Sequence, residues 1–361
     1  MKKVLFNIGT LTGGGAERVV SIWSSILAKK GYNTSIYVAH RCDDEYSVSE
    51  LVHIESTAKS VDEYMAMPKL ARFMHKRKFI KKLRPDVMIS FLPGTQIRTM
   101  LASFGVRCRR EETVRVDPWD TKEKTSGASL WIHCYNVSDA ILLQTEDQGD
   151  FFSKKNRKKC TVIRNPISKI YTDSVREGYS EKAKKFVAAG RLRDQKNYSL
   201  MIRAFAAAAK NCPGISLDIY GAGTDEYVKK LNGIISELGM TGIISLKGRT
   251  NDVLSAFLSA DAFIMSSDHE GMPNSLMEAM ATGLPCISTD CKTGPRDMIE
   301  DETSGFLCRV GDERDMEEKI RRIFSMSASE REEMGKAAKN RITELCDDEK
   351  NIAKLIEVIE G

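Results

Sequence analysis

The chain has 361 residues, 42% of them apolar and 29% charged, with nine prolines and no low-complexity tract. That fits a folded chain of two domains of about 150 to 180 residues each and excludes a disordered one. The net charge of +5 hides a split: residues 1–180 carry 30 Lys and Arg against 20 Asp and Glu, whereas residues 181–361 carry 25 against 30. Such asymmetry suggests halves that face different partners, with nucleic acid or an anionic membrane open to the basic one.

No apolar run approaches the roughly 18 residues of a membrane span. The opening MKKVLFNIGT reads as a first strand, not a signal peptide, because Asn7 interrupts its short apolar run. The nine cysteines are scattered, with no Cys-x-x-Cys pair and no histidine cluster beside Cys286 and Cys291. Reduced thiols, a cytoplasmic location and no zinc or other metal site are the expectation.

In chain order, VLFNIGT (4–10) is the first predicted strand, and TGGGAER (12–18) turns from it into the helix AERVVSIWSSILAKK. TSIYVAH (34–40) follows. Next, PKLARFMHKRKFIKKLRP (68–85) predicts a helix with Leu70, Phe73, Met74, Ile80 and Leu83 on one face. Lys69, Arg72, Lys76, Arg77, Lys78, Lys81, Lys82 and Arg84 crowd the remainder. DVMISFL (86–92), ETVRVD (112–117), AILLQT (140–145) and CTVIRNP (160–166) complete the first set of strands, and His133 falls on a helical stretch as a structural residue. The pattern restarts with KFVAAGRL (185–192), LDIYGAG (217–223), IISLKGR (243–249), AFIMSS (262–267) and PCISTD (285–290), with helix caps expected at Asn197, Thr224 and Asn251. This alternation predicts an α/β chain with a doubly wound parallel sheet, present twice. The expected domains are 1–170 and 171–345, with 346–361 a closing helix that packs back on the first. Ligands of such sheets bind at the carboxyl ends of strands, and with two sheets the expected site is the cleft between them.

The motifs follow strands. Arg191 and Lys196 lie on one loop, where two cations can neutralise a diphosphate. HEGMPNSLMEAMATGLP (269–285) leads into a helix starting near Asn274–Ser275, whose free N–H groups and positive end suit the same anion. Glu270 and Glu278 cannot bind phosphate and instead suit sugar hydroxyls. A plainer reading makes Ser275 and Glu278 a Ser-x-x-Glu capping box for a helix that Gly283 ends. Gly221, Gly223, Gly248 and Gly271 permit close backbone approach to a ligand or simply form turns.

Together GGGAERV, AAGRLRDQKN, IYGAG, LKGR and EGMPNSLMEA with GLPCISTD behind it resemble the retaining glycosyltransferases of family 4 over nearly the whole chain. TDCKTGPRDMI is similar to their bacterial polysaccharide and lipid-linked-oligosaccharide branch. The resemblance implies the GT-B fold of two facing Rossmann-like domains. It implies transfer of a hexose or N-acetylhexosamine from a nucleotide sugar, UDP-linked by resemblance alone, to a glycan acceptor that is itself lipid-linked. Arg191, Lys196 and Glu270 would be catalytic, the first two holding the diphosphate and the third the sugar. Glu278 would bind the ribose, Arg249 the base, and Gly14, Gly15, Gly221, Gly223, Gly271, Met272, Pro273, Asn274 and Ser275 would complete the donor site. Many family members carry a His where this chain has VRVDPWD, so Arg115 and Asp117 are assigned to the acceptor side and the group that deprotonates the acceptor stays open. No cofactor is implied. With no Asp-x-Asp anywhere, a metal-independent mechanism is expected.

A nicotinamide dehydrogenase fits poorly, because Arg18 stands where the third glycine of the fingerprint belongs and the second strand ends Ala39-His40 without an acid. A nucleotide-sugar 2-epimerase of the same architecture stays open. A nucleic-acid-binding protein would need stacking aromatics among its cations, and aromatics are only 7%. The basic 69–84 segment instead predicts peripheral binding to an anionic membrane on its inner face. Sugar, base, acceptor linkage and oligomeric state are not legible.

Overall fold

Short buried apolar runs form the strands of this protein, and amphipathic runs cover them. The computed structural model describes residues 1–361 as two units, Met1–Pro166 with Asp348–Gly361, and Ile167–Asp347. The first unit contains β1 (Lys3–Asn7), β2 (Asn33–His40), β3 (His53–Ala58), β4 (Val87–Ser90), β5 (Arg109–Thr113), β6 (Ala140–Leu143) and β7 (Cys160–Val162), in the order β3-β2-β1-β4-β5-β6-β7. Every pairing is parallel. One face packs under the Gly15–Lys29 helix and the closing helix Asp348–Glu360, through Trp23, Leu27, Ile352, Leu355 and Ile359. The closing helix is fixed further by Asn351, whose Oδ1 accepts from the Arg164 amide at 3.0 Å.

The second unit repeats the plan with β8 (Lys185–Ala189), β9 (Ser216–Tyr220), β10 (Ile244–Gly248), β11 (Ala262–Met265), β12 (Cys286–Thr289) and β13 (Phe306–Cys308), ordered β10-β9-β8-β11-β12-β13 and again all parallel. Helices Tyr198–Ala209 and Glu313–Ser325 cover one face; Val253–Leu258, Asn274–Ala281 and Ala328–Leu345 cover the other. Each unit is therefore a Rossmann-like doubly wound sheet. The strand order reverses between β1 and β4 in one and between β8 and β11 in the other, the switch points where such sheets hold ligands.

Several sequence expectations need correction. β5 ends at Thr113, not Asp117, because the Asp117 carboxylate caps the next helix, Pro118–Lys124, accepting from the amides of Trp119 at 2.8 Å and Asp120 at 3.3 Å. β7 stops at Val162, well short of Pro166. The cap of the Val253–Leu258 helix is Asp252, whose carboxylate accepts from the Ser255 amide, and not Asn251. His133 does lie on a helix, Ala128–Val137, and is exposed there. In the Lys69–Leu83 helix the single apolar face does not exist: Phe73, Ile80 and Leu83 pack inward, while Leu70 is 70% and Met74 is 50% exposed. Lys76, placed on the basic surface by sequence, is buried at 6% exposure.

Candidate active site

The two loops that leave β8 and β11 flank the second unit's switch point, and they carry the residues the sequence singled out. After β8 the chain passes Gly190 and Arg191 into a short turn Asp194–Lys196. Asn197, at a left-handed φ of 43°, then caps the Tyr198–Ala209 helix, its Oδ1 accepting from the Leu200 amide. After β11 the chain runs through Ser266–Pro273 into the Asn274–Ala281 helix. Four bonds stitch the loops together. The Asp268 amide donates to the Gln195 carbonyl at 2.9 Å, and Gln195 Nε2 donates to the His269 carbonyl at 2.8 Å. Ser266 Oγ donates to the Lys196 carbonyl at 2.7 Å, and Asn197 Nδ2 to Asp268 at 2.8 Å.

That framework brings Lys196 and Glu270 together, with Nζ 2.5 Å from Oε1. Ser267 Oγ donates to the same carboxylate oxygen at 2.6 Å, and Thr293 Oγ1 donates to the Glu270 carbonyl. Glu270 is 7% exposed. A buried pair with extra hydrogen bonds is rigid in position, and Lys196 keeps two further N–H donors for a ligand. Arg191 is exposed and takes no hydrogen bond within the chain; its planar fork is free to meet an anion.

The capping-box reading of Ser275 and Glu278 fails. Pro273 occupies the cap position and Ser275 lies inside the helix, so no side chain caps its first turn and no acidic residue stands there. The positive end is left for an anion. Asn274 and Ser275 are its first two residues. Gly283, at φ 74°, does end it. Glu278 is buried at 7% exposure, and Met272 packs into the apolar core, which leaves only its backbone for a ligand.

The glycines have reasons of their own. A Cβ on Gly221 would stand 1.8 Å from the Gly190 carbonyl oxygen, and one on Gly223 would stand 2.7 Å from Leu192 Cβ. These two residues therefore let the β9 loop press against the Arg191 loop, which is a packing reason and not in itself ligand approach. Arg249 follows Gly248 at the end of β10. Gly294, at φ 98°, admits the Gly271–Pro273 turn, since its Cβ would meet the Gly271 carbonyl at 2.3 Å. Gly221→Ala should thus cost about 1 to 3 kcal/mol through overpacking and displace Arg191; an unchanged unfolding midpoint would contradict this contact.

The remaining predicted residues belong to the first unit. Gly14 caps the Gly15–Lys29 helix, and the Glu17 carboxylate folds back to where a Gly14 Cβ would stand. Arg115 is buried over the rings of Trp23 and Phe91, 4.5 and 5.0 Å from their centroids, and donates to Asn165 Oδ1 at 3.2 Å. Its Nε and one Nη have no partner, and burial lowers its pKa to about 9. Asp117 has the capping role described above. Sequence reasoning missed Gln195, Ser267, Thr293 and Gly294, which build the site around Glu270. Ser267 closes the run AFIMSS, Gln195 lies in AAGRLRDQKN, and Thr293 and Gly294 lie inside TDCKTGPRD, so each falls in a stretch already marked out by the sequence. Leu92, at φ 67° just after β4, is a further strained position at the first unit's switch point.

Residues 171–341, nearly all of the second unit, match the family model described as glycosyl transferases group 1. The amylovoran biosynthesis glycosyltransferase AmsD of Erwinia amylovora is 26% identical over 314 residues, 84% of this chain and 85% of that protein. The N-acetylgalactosamine-N,N'-diacetylbacillosaminyl-diphospho-undecaprenol 4-alpha-N-acetylgalactosaminyltransferase of Campylobacter jejuni is 27% identical over 355 residues, 94% of each chain. Among solved structures, TarM of S. aureus with UDP bound superposes with a TM-score of 0.83 at 15% identity, covering 100% of both chains. Anabaena HepE with UDP and glucose does so at 0.80 and 15%, again covering both chains fully. At that identity these likenesses show the fold, that of GT-B proteins. The family match and the relatives support glycosyltransferase activity.

Proposed function

We propose that this chain is a glycosyltransferase of group 1 and, more finely, a retaining member of family 4. It would move a hexose or N-acetylhexosamine from a UDP-sugar to a glycan carried on a lipid diphosphate, in the assembly of cell-surface polysaccharide or oligosaccharide. The observation that carries this reading is the Lys196–Glu270 pair at the switch point, with an uncapped helix end beginning four residues beyond Glu270. Arg191 and Lys196 hold the donor diphosphate, Glu270 accepts from the sugar hydroxyls and Glu278 from the ribose. As the bond to the anomeric carbon breaks, charge builds on the departing diphosphate. Two cations and a helix end aimed there stabilise it more than they do the intact donor. The Campylobacter relative's diphospho-undecaprenol acceptor and the UDP in TarM and HepE are what support the lipid carrier and the base.

The charge stabilisation comes from side chains and backbone, so release of UDP from a UDP-sugar should continue in excess EDTA. Loss of activity that manganese restores would refute a metal-free mechanism.

No helix is long and apolar enough to cross a membrane, so a lipid-linked acceptor has to be met at the membrane surface. The Lys69–Leu83 helix offers such a contact in a form the sequence did not foresee. Leu70 and Met74 project from it, and Arg77 ties it to the next helix by donating to the carbonyls of Ala102 and Phe104 at 2.9 and 3.0 Å. Phe104 is 78% exposed. Lys78, Lys81 and Lys82 are exposed on the same helix, each worth roughly 1 kcal/mol near anionic headgroups. Replacing these three lysines with glutamine should abolish salt-sensitive binding to phosphatidylglycerol vesicles while donor cleavage persists. Wild-type protein that ignores such vesicles at low ionic strength would leave a soluble acceptor as the better assignment.

A further inference from the structure

A third cation, Arg193, stands on the loop that leaves β8, between Arg191 and Lys196. Leu192 beside it is buried and bridges to Gly223, its amide donating to the Ala222 carbonyl at 2.8 Å. Arg193 itself is extended, at φ −153° and ψ 161°. Successive side chains on extended backbone point to opposite sides, so Arg191 and Arg193 project together, away from Leu192 and the β9 loop. Both are exposed, and neither guanidinium makes a hydrogen bond or an ion pair. Their closeness is felt: burial first, then Arg191, holds the Arg193 guanidinium below its usual pKa.

The nearby carboxylates are committed elsewhere. Glu270 takes Lys196 at 2.5 Å. Asp194 Oδ1 lies 3.5 Å from Lys230 Nζ, and Asp268 accepts from Asn197 Nδ2 at 2.8 Å. Arg191 is the charged neighbour that acts on Arg193, and no carboxylate does. Of the three cations on the loop, only Lys196 is therefore answered inside the chain. Two positive charges are left side by side, an arrangement that like-charge repulsion disfavours.

Resting on the donor assignment above, we infer that Arg193 is a specificity-determining residue, which meets the second phosphate of a nucleoside diphosphate while Arg191 meets the first. A sugar joined to its nucleoside through a diphosphate brings one negative charge on each phosphate. Lys196 can donate to the same group, but it shares its charge with Glu270. Arg191 alone would leave one phosphate uncompensated. The planar fork of a second arginine supplies the missing charge in a form that suits phosphate oxygens. A nucleoside monophosphate has one phosphate to place, meets Arg191 and gains nothing from Arg193. The residue thus separates diphosphate-linked from monophosphate-linked nucleotides.

The test is calorimetric titration of UDP and of UMP into the full chain as wild type, Arg193→Gln, Arg193→Lys and Arg191→Ala. Arg193→Gln should weaken UDP by at least about tenfold, the scale of one charge-assisted contact, and change UMP by less than about twofold. Arg193→Lys keeps the charge and should bind UDP more tightly than Arg193→Gln. The loss in Arg193→Gln should shrink as salt rises. Because the Arg193 side chain has no partner within the chain, its variants should unfold no earlier than wild type, which separates lost binding from lost folding. UDP affinity unchanged in Arg193→Gln but lost in Arg191→Ala overturns the proposal and leaves the donor site standing. Equal losses of UDP and UMP in Arg193→Gln also overturn it. UDP affinity unchanged in Arg191→Ala removes the donor assignment, and the proposal with it.

Discussion

Lys196→Ala is expected to lower turnover at saturating donor by about a hundredfold, and Arg191→Ala by about tenfold to a hundredfold. Losing one charge-stabilising contact in the transition state is worth roughly 1.4 to 3 kcal/mol. Lys196 should fall at the upper end because its removal has a second consequence. Glu270, buried with its carboxylate 2.5 Å from the lysine, would be left with Ser267 but without its cation, and a stranded buried charge costs several kcal/mol. Lys196→Ala should therefore also unfold the second unit at lower denaturant. Arg191 is exposed and supports nothing else, so its variant should keep wild-type stability. Steady-state kinetics paired with chemical unfolding separates the two, and wild-type turnover in either variant would remove the diphosphate assignment.

The two glutamates are expected to fail differently. If the donor sits as proposed, Glu270→Gln should slow transfer by about tenfold to a hundredfold while leaving UDP affinity nearly intact, because its carboxylate would meet the sugar and it fixes Lys196. Glu278→Gln should weaken UDP itself by about tenfold, the scale of one charge-assisted hydrogen bond. Calorimetry with UDP reads the difference directly. Unchanged UDP affinity in Glu278→Gln together with lost stability would return that residue to a structural role.

These expectations rest on features of unequal legibility in the sequence. Arg191, Lys196 and Glu270 could be placed after strands because the runs before them are uniformly apolar and buried. β3 and β13 escaped notice for the opposite reason: HIESTA is a half-exposed edge strand and FLC is three residues long. Asp117 shows how local chemistry ends an element that periodicity would extend, by capping the next helix. Lys76 was misplaced because hydropathy sorts lysine to the surface. Only the tertiary arrangement shows what the lysine meets inside, the Thr99 hydroxyl and the Tyr37 ring. Likewise Gly221 and Gly223, which the sequence leaves open between ligand approach and turns, show a packing reason once the Arg191 loop is seen pressed against them.

The most direct test of the donor site is a panel of nucleotide sugars incubated without acceptor, with released nucleoside diphosphate measured for wild type and for Arg191→Ala with Lys196→Ala. A UDP-linked hexose or N-acetylhexosamine should be cleaved slowly but above background by wild type, and the double variant should lose that cleavage. Cleavage of no nucleotide sugar, or equal cleavage by the double variant, would contradict a donor held at the Lys196–Glu270 switch point.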